Sequence, residues 1–599
     1  MGVQKYSVNH YPVQTILTWI NSGEIAIPEI QRPFVWNATK VRDLIDSLYQ
    51  GYPVGYLIAW RNPNVRLKDG TISQGKRILI DGQQRVMAFM TALLGQPIIN
   101  SEYKRTEIVI AFHPKERRFE VSNFFIQKDP AWIPDISKII SPEAKMLQLV
   151  NEYCRCNQDA NPDDIYESLE LLKAIVNNHI GLIELNSDLD IETVTDIFIR
   201  INSQGVVLSQ ADFAMSKIAA NDTYGGNQLR KTIDYFCHLV VAPEFYQHII
   251  EFDPDFSKTE YFQKMSWLKD ENDDLYNPSY TDMLRVSFTS EFKRGRLEDL
   301  VALLSGRNFQ TRTYEEEIVE KSFNQLQTGI LRFMNETNFK RFLMIVRSAG
   351  FIEPGMIRSQ NALNFAYIVY LVLTAQKMNP NQIEKYVRRW LVMSILTGRY
   401  SASPESQIDL DIRRIDEVGI EKYIVDVEEA QLSDVFWNTG LPQAMDTSVS
   451  SSPYFNVYLA AQVKANDKGF LSRDITVRDL ITHRGDVHHL FPKNYLKKHG
   501  LTRGKYNQIA NYVMMQSEIN IAIKDCPPAQ YFTELLEAIR SKSEPKYGAI
   551  SDIDELKENF QMHCIPDGME NKTIEHYEDF LVERRKLMAQ KIMRYYQGL

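Results

Sequence analysis

The stretch ILIDGQQRVMAFMTALLG, residues 78–95, decides the fold of the amino-terminal region. It begins with an apolar, largely β-branched run, which is typical of a strand. From Gln83 onward the apolar residues recur at three- and four-residue spacing, which is typical of a helix. Asp81 and Gly82 separate the two patterns and favour a tight turn. The stretch therefore predicts a strand, a turn and a helix in direct succession.

The start of this predicted helix is suited to binding phosphate. A helix N-terminus presents unpaired backbone N–H groups and a partial positive charge. Gly82 would let the backbone approach a ligand closely, and Arg85 could add a bidentate phosphate contact. Asp81 could orient a water molecule or hold magnesium. The same turn is also common as a purely structural feature, so these residues alone leave both interpretations open.

A second nucleotide-binding pattern, directly before the strand, fails. Residues 70–76 are GTISQGK, which has the spacing of a P-loop. The next residue is Arg77, where a P-loop carries the Ser or Thr that binds magnesium. The predicted strand also follows this segment, whereas a P-loop follows its strand. We predict a hairpin turn here.

Outward from this stretch, the chain changes character twice. Strand-like and helix-like segments mix up to about residue 220, and long helical patterns dominate from about 225 to 440. A Ser-rich break with one proline, DTSVSSSPYF at 446–455, is the clearest linker. The chain has 599 residues, which suggests about three to five domains or subdomains. We predict an α+β, multidomain protein with domains at 1–222, 223–445 and 446–599.

The individual predicted elements follow from the same patterns. The predicted strands are RILIDG (77–82), TEIVIAFHP (106–114) and HIGLIELN (179–186). The predicted helices of the first domain are 39–51, 84–95 and 191–202, and those further on include 316–336, 364–378, 381–400 and a closing charged helix at 576–597.

Composition excludes several classes of protein. Apolar residues make up 44% and charged residues 24%, which is ordinary for globular proteins and excludes a fibrous or wholly disordered chain. No run approaches the roughly 20 apolar residues that span a bilayer, and no secretory signal is visible, so no membrane partner is expected. Five cysteines are too few for a disulfide framework. We expect a protein of the reducing cytoplasm.

The carboxyl-terminal region has its own charge and chemistry. The whole chain carries a net charge of −9, but residues 464–505 hold ten Lys or Arg against four Asp or Glu, a local charge of +6. Within this segment, RGDVHHLFPKNYL places His488 and His489 in an apolar, strand-like stretch. Asn511 follows 22 residues after His489, and Asn520 nine residues later. A solvated charged face is one interpretation, and a site that neutralises DNA phosphates is the other.

These residue types suit phosphodiester hydrolysis. The pKa of a histidine lies near neutrality, so His489 could act as the base that activates water. A divalent ion beside the phosphate would stabilise charge on the leaving oxygen. Lys524 comes four residues after Asn520, which predicts one shared helix face and a phosphate contact. Lys493 is the second predicted DNA contact. The spacing of the histidine and the two asparagines matches an HNH, or His-Me finger, nuclease.

Three separated segments of the first domain resemble the DGQQR-motif nucleotide-binding family found in the specificity half of GmrSD-type restriction enzymes. They are IPEIQRPFVWN (27–37), ILIDGQQR (78–85) and IFIRINSQGVVLS (197–209). The resemblance implies a ParB/sulfiredoxin-like core that binds and hydrolyses a nucleoside triphosphate: GTP, CTP, UTP or ATP. It further implies a nucleotide pocket lined by Gln31, Arg32, Asp81, Gly82, Gln83, Gln84, Arg85, Arg200 and Asn202. Trp36 is expected to pack in the core.

The region from about 455 to 599 resembles the nuclease half of the same GmrSD-type enzymes. This resemblance implies a ββα-metal fold embedded in helices, with His489 as the catalytic base and Asn511 orienting its imidazole. His488 and Asn520 are the implied metal ligands. His488 stands where the superfamily commonly has Asp or Glu. The expected ion is Mg²⁺ or Mn²⁺, and other divalent ions stay open because imidazole favours manganese, nickel or zinc over magnesium. Residues 390–413 of the predicted helical middle also resemble the family, with Arg399, Ser403 and Glu405 supporting the helices or touching DNA.

Together the resemblances imply a single-chain, type IV restriction endonuclease of prokaryotic phage defence, in which a nucleotide controls a metal-dependent HNH nuclease. The expected partner is double-stranded DNA carrying a modification, and a homodimer is a candidate state. Two other functions stay open on the sequence. One is a nucleotide-dependent DNA-binding sensor with a degenerate nuclease centre. The other is a toxin nuclease directed at RNA.

Overall fold

The computed structural model describes residues 4–22, 24–26, 34–61, 77–100, 105–186, 189, 197, 209–221, 223–270, 274–483 and 487–599. The chain forms two compact units. The first comprises residues 1–272, 277–281 and 301–323, and the second comprises 273–276, 282–300 and 324–599. The mixed α+β, multidomain class is confirmed. The bounds of the two units differ from those of the three predicted domains, and that threefold division stays a prediction.

A five-stranded mixed sheet forms the centre of the first unit, in the order β1–β9–β3–β4–β2. Its strands are β1 (Tyr6–Pro12), β2 (Ile25–Ala26), β3 (Tyr56–Arg61), β4 (Arg77–Asp81) and β9 (His179–Leu185). The pairs β1/β9 and β3/β4 are antiparallel, and β3/β9 and β2/β4 are parallel. The predicted strands at 77–82 and 179–186 are confirmed. Both are neighbours of the central strand β3.

Two short antiparallel ribbons accompany this sheet. They are β5 (Ile98–Ile99) with β6 (Arg105–Thr106), and β7 (Ile110–His113) with β8 (Arg118–Val121). The predicted strand at 106–114 is therefore shorter than expected. The helices up to residue 264 are α1 (Val13–Asn21), α2 (Ala38–Tyr49), α3 (Gln83–Leu94), α4 (Ser137–Ile140), α5 (Met146–Cys156), α6 (Pro162–Ala174), α7 (Gln210–Ala220), α8 (Gly226–Val241), α9 (Phe245–Phe252) and α10 (Glu260–Lys264).

The apolar faces of these helices build the core of the first unit. Val41 and Ile45 of α2 and Phe89 of α3 are wholly buried and share one cluster with Leu57 and Leu79 of the sheet. Burial of each such side chain contributes about 1.5–3 kcal/mol, which exceeds what helix propensity alone supplies. The predicted helices at 39–51 and 84–95 are confirmed. The predicted helix at 191–202 lies outside the described residues, apart from Ile197.

Long helices dominate the rest of the chain. They are α11 (Tyr280–Phe292), α12 (Leu297–Leu304), α13 (Glu316–Phe333), α14 (Glu336–Ser348), α15 (Gln360–Ala375), α16 (Pro380–Thr397), α17 (Pro404–Val418), α18 (Ile420–Gln431), α19 (Leu441–Ala444) and α20 (Pro453–Lys464). The predicted helices at 316–336, 364–378 and 381–400 are confirmed. The Ser-rich break is non-helical up to Ser452 and lies within the second unit. No helix among the described residues is long and apolar enough to cross a membrane.

The last 140 residues fold around a small antiparallel ribbon, β10 (Val487–His489) with β11 (Tyr512–Met514). Short helices precede and join its strands, and four more follow. In chain order they are α21 (Val477–Thr482), α22 (Lys493–Lys498), α23 (Arg503–Tyr506), α24 (Ser517–Ile523), α25 (Pro528–Ser541), α26 (Ile553–Met562) and α27 (Tyr577–Gln597). The order strand, strand, helix across β10, β11 and α24 is the one that the sequence predicted for the nuclease centre.

Candidate active site

The two predicted histidines lie side by side on β10. His488 pairs with Val513 and His489 with Tyr512 across the ribbon. Because successive residues of a strand point to opposite faces, the two imidazoles leave the ribbon on different sides. The two imidazoles therefore have different surroundings.

The side chain of His489 is half-buried and held by an amide. Its Nε2 donates to Oδ1 of Asn507 at 3.0 Å. Its ring meets that of Tyr512 edge-on, with 5.2 Å between centroids. A carboxamide oxygen can only accept, so the imidazole proton is on Nε2 and Nδ1 keeps its lone pair. Nδ1 is therefore the atom available to take a proton.

Its surroundings keep His489 neutral. Burial lowers the pKa of His489 below its usual 6.5, and the positive charge of Lys493 lowers it further. The hydrogen bond to Asn507 opposes both effects without reversing them. A base must be unprotonated to act, and this lowered pKa leaves His489 in that form at neutral pH.

The predicted partner of His489, Asn511, makes different contacts. It is fully buried, its Nδ2 donates to the carbonyls of Phe491 and Tyr506, and its Oδ1 accepts from Phe491 N–H at 2.8 Å. The expectation that Asn511 orients the imidazole is therefore wrong at the level of contact, because backbone groups occupy the amide. Asn511 instead fixes the chain that leaves β10. Its place in catalysis stays a prediction.

Asn507 is the residue that the sequence interpretation missed. It lies four residues before Asn511 in KYNQIANY, and both asparagines fit a loop that precedes a strand. The spacing gave no basis for choosing between them, since the contact depends on how the α23–β11 connection folds back over β10. An asparagine repeated at this short distance was the only available signal.

Asn520 is half-buried on the second turn of α24, the helix that follows β11. The predicted shared face with Lys524 is wrong, because α24 ends at Ile523. Lys524 has a backbone φ of +55°, so its side chain leaves the helical row that Asn520 occupies. Lys524 remains exposed and able to meet a phosphate.

A cationic edge borders the half-buried histidine. The ammonium groups of Lys493 and Lys497 lie 5.8 and 5.7 Å from the ring centroid of Tyr506. The Tyr506 ring in turn lies 6.4 Å from that of His489. Both lysines are exposed, on the first and last turns of α22. Two exposed cations therefore border the same tyrosine ring that lies beside the imidazole.

The closing helix α27 is hydrogen-bonded to the ribbon through one buried cation, Arg584. Arg584 is fully buried, and its Nη1 donates to the carbonyls of Ala510 at 2.7 Å and Tyr512 at 2.8 Å. Its Nε and Nη2 donate to the carbonyl of His563 at 3.2 and 3.0 Å. Burial lowers the pKa of Arg584. Since Tyr512 pairs with His489, the hydrogen bonds from Arg584 fix the position of β11 relative to the histidine.

The possible metal ligands form a sparse set. Among the described residues, no three His, Cys, Asp or Glu side chains come together as a metal site. His488 and Asn520 bring one imidazole and one carboxamide to the same ribbon–helix unit. These neutral donors suit manganese, nickel or zinc better than magnesium, and an ion held by two such side chains keeps water in its other positions. His488 on β10 and Asn520 on α24 are thus two neutral side chains that could serve an ion as ligands.

The Asp81–Arg85 turn has the predicted geometry. Asp81 ends β4, and Gly82 adopts φ +94° directly before α3. A Cβ on Gly82 would lie 2.4 Å from Cδ2 of Leu57, so the sheet beneath also requires glycine here. The absence of a side chain at Gly82 therefore has a structural reason that does not depend on a ligand.

The polar residues Gln83, Gln84 and Arg85 of this turn are already engaged in part by other groups of the protein. Gln83 and Gln84 are buried, and Oε1 of Gln84 accepts from the N–H of Val35 at 2.8 Å. Nη1 of Arg85 donates to the carbonyl of Tyr56 at 2.7 Å, and burial lowers the pKa of Arg85. The structure thus brings Asp81, Arg85 and the start of β3 together. The other predicted pocket residues, Gln31, Arg32, Arg200 and Asn202, lie outside the described residues.

Three remaining sequence features have structural roles. Trp36 packs against the core, as predicted. Arg77 is buried between Glu24 and Glu184, at 2.5 and 2.7 Å, while the P-loop-like residues 70–76 lie outside the described part of the chain. In the helical middle, Arg399 forms a buried pair with Asp411 at 2.5 Å.

The other two residues of that middle segment also stabilise helices. Glu405 pairs with Arg285 at 3.1 Å, and Ser403 stands directly before α17. Of the two roles expected for Arg399, Ser403 and Glu405, these contacts agree with support of the helices.

Comparison with known proteins supports the interpretation of the first unit. Residues 13–219 match the family model described as the GmrSD restriction endonuclease, N-terminal domain. This match shows that the segment is similar to the N-terminal domain of GmrSD restriction endonucleases. An uncharacterized protein of Methanocaldococcus jannaschii is 24% identical over 218 residues, which cover 35% of this chain and 36% of that protein. The similarity to that protein thus spans about a third of its length.

Proposed function

We propose that this protein is a nucleotide-regulated, metal-dependent endonuclease that cuts modified phage DNA. The observation that carries the proposal is His489: a neutral, oriented imidazole on a short ribbon, beside exposed lysines, in a chain whose amino-terminal segment matches a restriction endonuclease domain. An imidazole held by Asn507 beside Lys493 and Lys497 combines a possible base with cations for a phosphate.

In the proposed reaction, Nδ1 of His489 takes a proton from a water molecule. The oxygen of that water attacks the phosphorus of the scissile phosphodiester, the bond from phosphorus to the leaving oxygen breaks, and that oxygen takes a proton from solvent. Asn507 holds the imidazole and stabilises the imidazolium that forms. Lys493 and Lys497 bind the phosphates on either side, and Lys524 adds a contact from the end of α24.

His488 and Asn520 are the residues proposed to hold a divalent ion. Such an ion, when bound, supplies the positive charge that stabilises the leaving oxygen. Asn520→Ala should raise the Mn²⁺ concentration needed for half-maximal cleavage while leaving the fold intact, because Asn520 is half-buried and not part of the core. Titration of cleavage with Mn²⁺ checks this, with Asn494→Ala, an exposed asparagine of α22, as the control.

The first unit is proposed to bind and hydrolyse a nucleoside triphosphate at the start of α3. The unpaired N–H groups of a helix start and the nearby Arg85 favour a phosphate, and Asp81 can orient the attacking water or a magnesium ion. The match of residues 13–219 to the GmrSD N-terminal domain supports this. A nucleotide can control cleavage only through different affinities for two states of the protein.

The decisive experiment is cleavage of modified and unmodified phage DNA, and of RNA, with each triphosphate and with Mg²⁺ or Mn²⁺. Faster cleavage of modified DNA that requires an ion and responds to a nucleotide supports the proposal. Binding of DNA without cleavage in any ion would instead support a sensor protein. Cleavage of RNA in preference to DNA would support a toxin nuclease.

A further inference from the structure

A cavity of about 470 Å³ lies in the first unit and does not include the Asp81–Arg85 turn. Its volume falls within the range of small-molecule binding sites. The walls come from the residues that open α2, from the chain before β7 and from the end of β8. The lining residues that matter for binding are Phe34, Trp36, Asn100, Glu107, Ser122 and Gln127.

The walls combine flat apolar surface with hydrogen-bonding groups. Phe34 is buried and Trp36 packs on the core, so core contacts hold both aromatic walls. The bond from Val35 N–H to Gln84 fixes the segment between them. Glu107 and Gln127 are exposed carboxylate and amide groups at the opening, and the Ser122 hydroxyl is buried with no hydrogen-bond partner among the described residues. A planar ligand with polar edges matches these walls.

Two large aromatic side chains stand in solvent directly beside this cavity. Phe124 and Phe125 are 63% and 83% exposed and follow Ser122 by two and three residues. Asn123 Oδ1 accepts from the N–H groups of Phe125 and Ile126, at 3.0 and 3.1 Å, which fixes the turn that presents them. Adjacent exposed phenylalanines are costly in water, so a partner surface is the natural explanation.

Cations accompany the aromatic groups at the opening. The ammonium of Lys128 lies 3.9 Å from the ring centroid of Phe124, and that of Lys40 lies 5.4 Å from the ring of Trp36. Both lysines are exposed. The cavity suits a nucleobase, which is a planar ligand with polar edges. The exposed aromatic pair suits the gap that such a base leaves in the stack, and the flanking cations suit its phosphates.

We propose that this cavity receives a single base turned out of a DNA duplex, with Phe124 and Phe125 filling the gap in the base stack. The proposal rests on the proposed function, because it takes DNA as the substrate. Glu107 would accept a hydrogen bond from an exocyclic amino group of the base, and Lys40 and Lys128 would bind the flanking phosphates. The remaining volume accommodates a substituent on the base, which makes this cavity the place where the modification is read.

The test uses the full-length protein without divalent ions and a short duplex that carries one 2-aminopurine. This base fluoresces more strongly when it leaves the stack, so binding should raise its emission. Phe125→Ala should weaken duplex binding on the order of tenfold and abolish the rise, as expected for loss of an aromatic that stacks on bases. Leu147→Ala removes a 73% exposed apolar side chain of α5 and serves as the matched control, with binding and emission unchanged.

A second pair of variants tests the charges. Lys128→Gln should weaken duplex binding and reduce its salt dependence, whereas Lys138→Gln, which removes a 76% exposed lysine of α4, should change neither. Unchanged emission on binding by the unaltered protein, or wild-type binding and emission by Phe125→Ala, overturns the proposal. If GTP or CTP binds and Glu107→Gln abolishes that binding, the cavity holds a free nucleotide and the proposal also fails.

These outcomes are separate from those of the proposed function. A protein that cuts DNA but leaves 2-aminopurine stacked contradicts only the cavity proposal. A protein that unstacks the base but never cuts DNA in any ion contradicts only the endonuclease proposal.

Discussion

At the scale of single residues, His489 differs from the other histidines of its segment by its surroundings and not by its sequence. Its Nε2 is bound to Asn507, its ring is flanked by two tyrosines, and its pKa is lowered by burial and by Lys493. By contrast, Nδ1 of the exposed His483 donates to the carbonyl oxygen of Asp479, four residues before it, at 2.8 Å. The two therefore form a natural test pair.

His489→Ala should reduce DNA cleavage by about 10²–10⁴-fold, because a general base typically contributes that much to rate. His483→Ala, the control, should retain wild-type cleavage. Rates of plasmid nicking under single-turnover conditions check both variants, and circular dichroism shows whether they are folded. Wild-type cleavage by folded His489→Ala protein would remove this histidine from the mechanism.

The lowered pKa of His489 also fixes a pH dependence. Protonation inactivates a base, so cleavage should fall as the pH drops through a midpoint below 6.5, the usual value for histidine. Lys493→Met removes a positive charge that lowers this pKa, so the midpoint should move to higher pH. Lys497→Met, which also removes a cation near Tyr506, should weaken DNA binding with a smaller shift. A profile of kcat/KM against pH that is identical in wild type and Lys493→Met would contradict this.

At the scale of elements, the ribbon is too short to hold its own geometry. Three residue pairs join β10 to β11, and a two-stranded ribbon alone is marginal in water. Side chains of other elements hold the ribbon in place. Asn511 clamps the chain after β10, Tyr531 of α25 donates to the carbonyl of Leu490 at 2.8 Å, and Arg584 of α27 bonds to both ends of the Ala510–Tyr512 segment.

Arg584→Lys should lower the thermal unfolding temperature and the cleavage rate together. A lysine cannot reach all three carbonyls, and each buried carbonyl left unpaired costs about 1–3 kcal/mol. The neighbouring Arg585 pairs with the exposed carboxylate of Asp446 at 2.6 Å, so Arg585→Lys is the matched control and should have little effect. Differential scanning fluorimetry measures both. Equal unfolding temperatures for the two variants would show that Arg584 does not support the ribbon.

At the scale of the whole molecule, the proposed nucleotide site and the proposed nuclease centre lie in two different compact units. A nuclease in the cell that makes it requires restraint. We expect nucleotide binding to the first unit to change cleavage by the second, since a triphosphate with different affinity for two states shifts their populations. The nuclease centre itself would be chemically untouched.

Asp81→Ala should abolish nucleotide hydrolysis, and Arg85→Ala should weaken triphosphate binding. Both should change DNA cleavage. Calorimetric titration with each triphosphate, beside cleavage assays, checks this, and Arg118→Ala, which alters an exposed residue of β8, is the control. Because Arg85 also bonds to Tyr56, Arg85→Lys shows whether loss of binding follows charge or packing. Unaltered binding in Arg85→Ala would remove this turn from the nucleotide site.

The sequence by itself determined the elements with strong local patterns. The β4–turn–α3 unit, the strand β9 and the long helices α13, α15 and α16 all follow from periodicity, since a regular element has a regular spacing of apolar residues. The order of β10, β11 and α24 is the hairpin followed by a helix that the resemblance to HNH nucleases implied. These are features that neighbours in the chain decide.

Only the tertiary structure decided which side chains meet. Asn507, and not Asn511, bonds to His489, because of how a connection folds over β10. Lys524 does not share the predicted helix face with Asn520, because α24 ends at Ile523, one residue before Lys524. Arg584 seemed one more cation in a charged helix, yet it is fully buried because four hydrogen bonds to carbonyls replace water. Contacts between residues far apart in the chain leave no spacing in the sequence, and they alone set burial, pKa and hydrogen-bond partners.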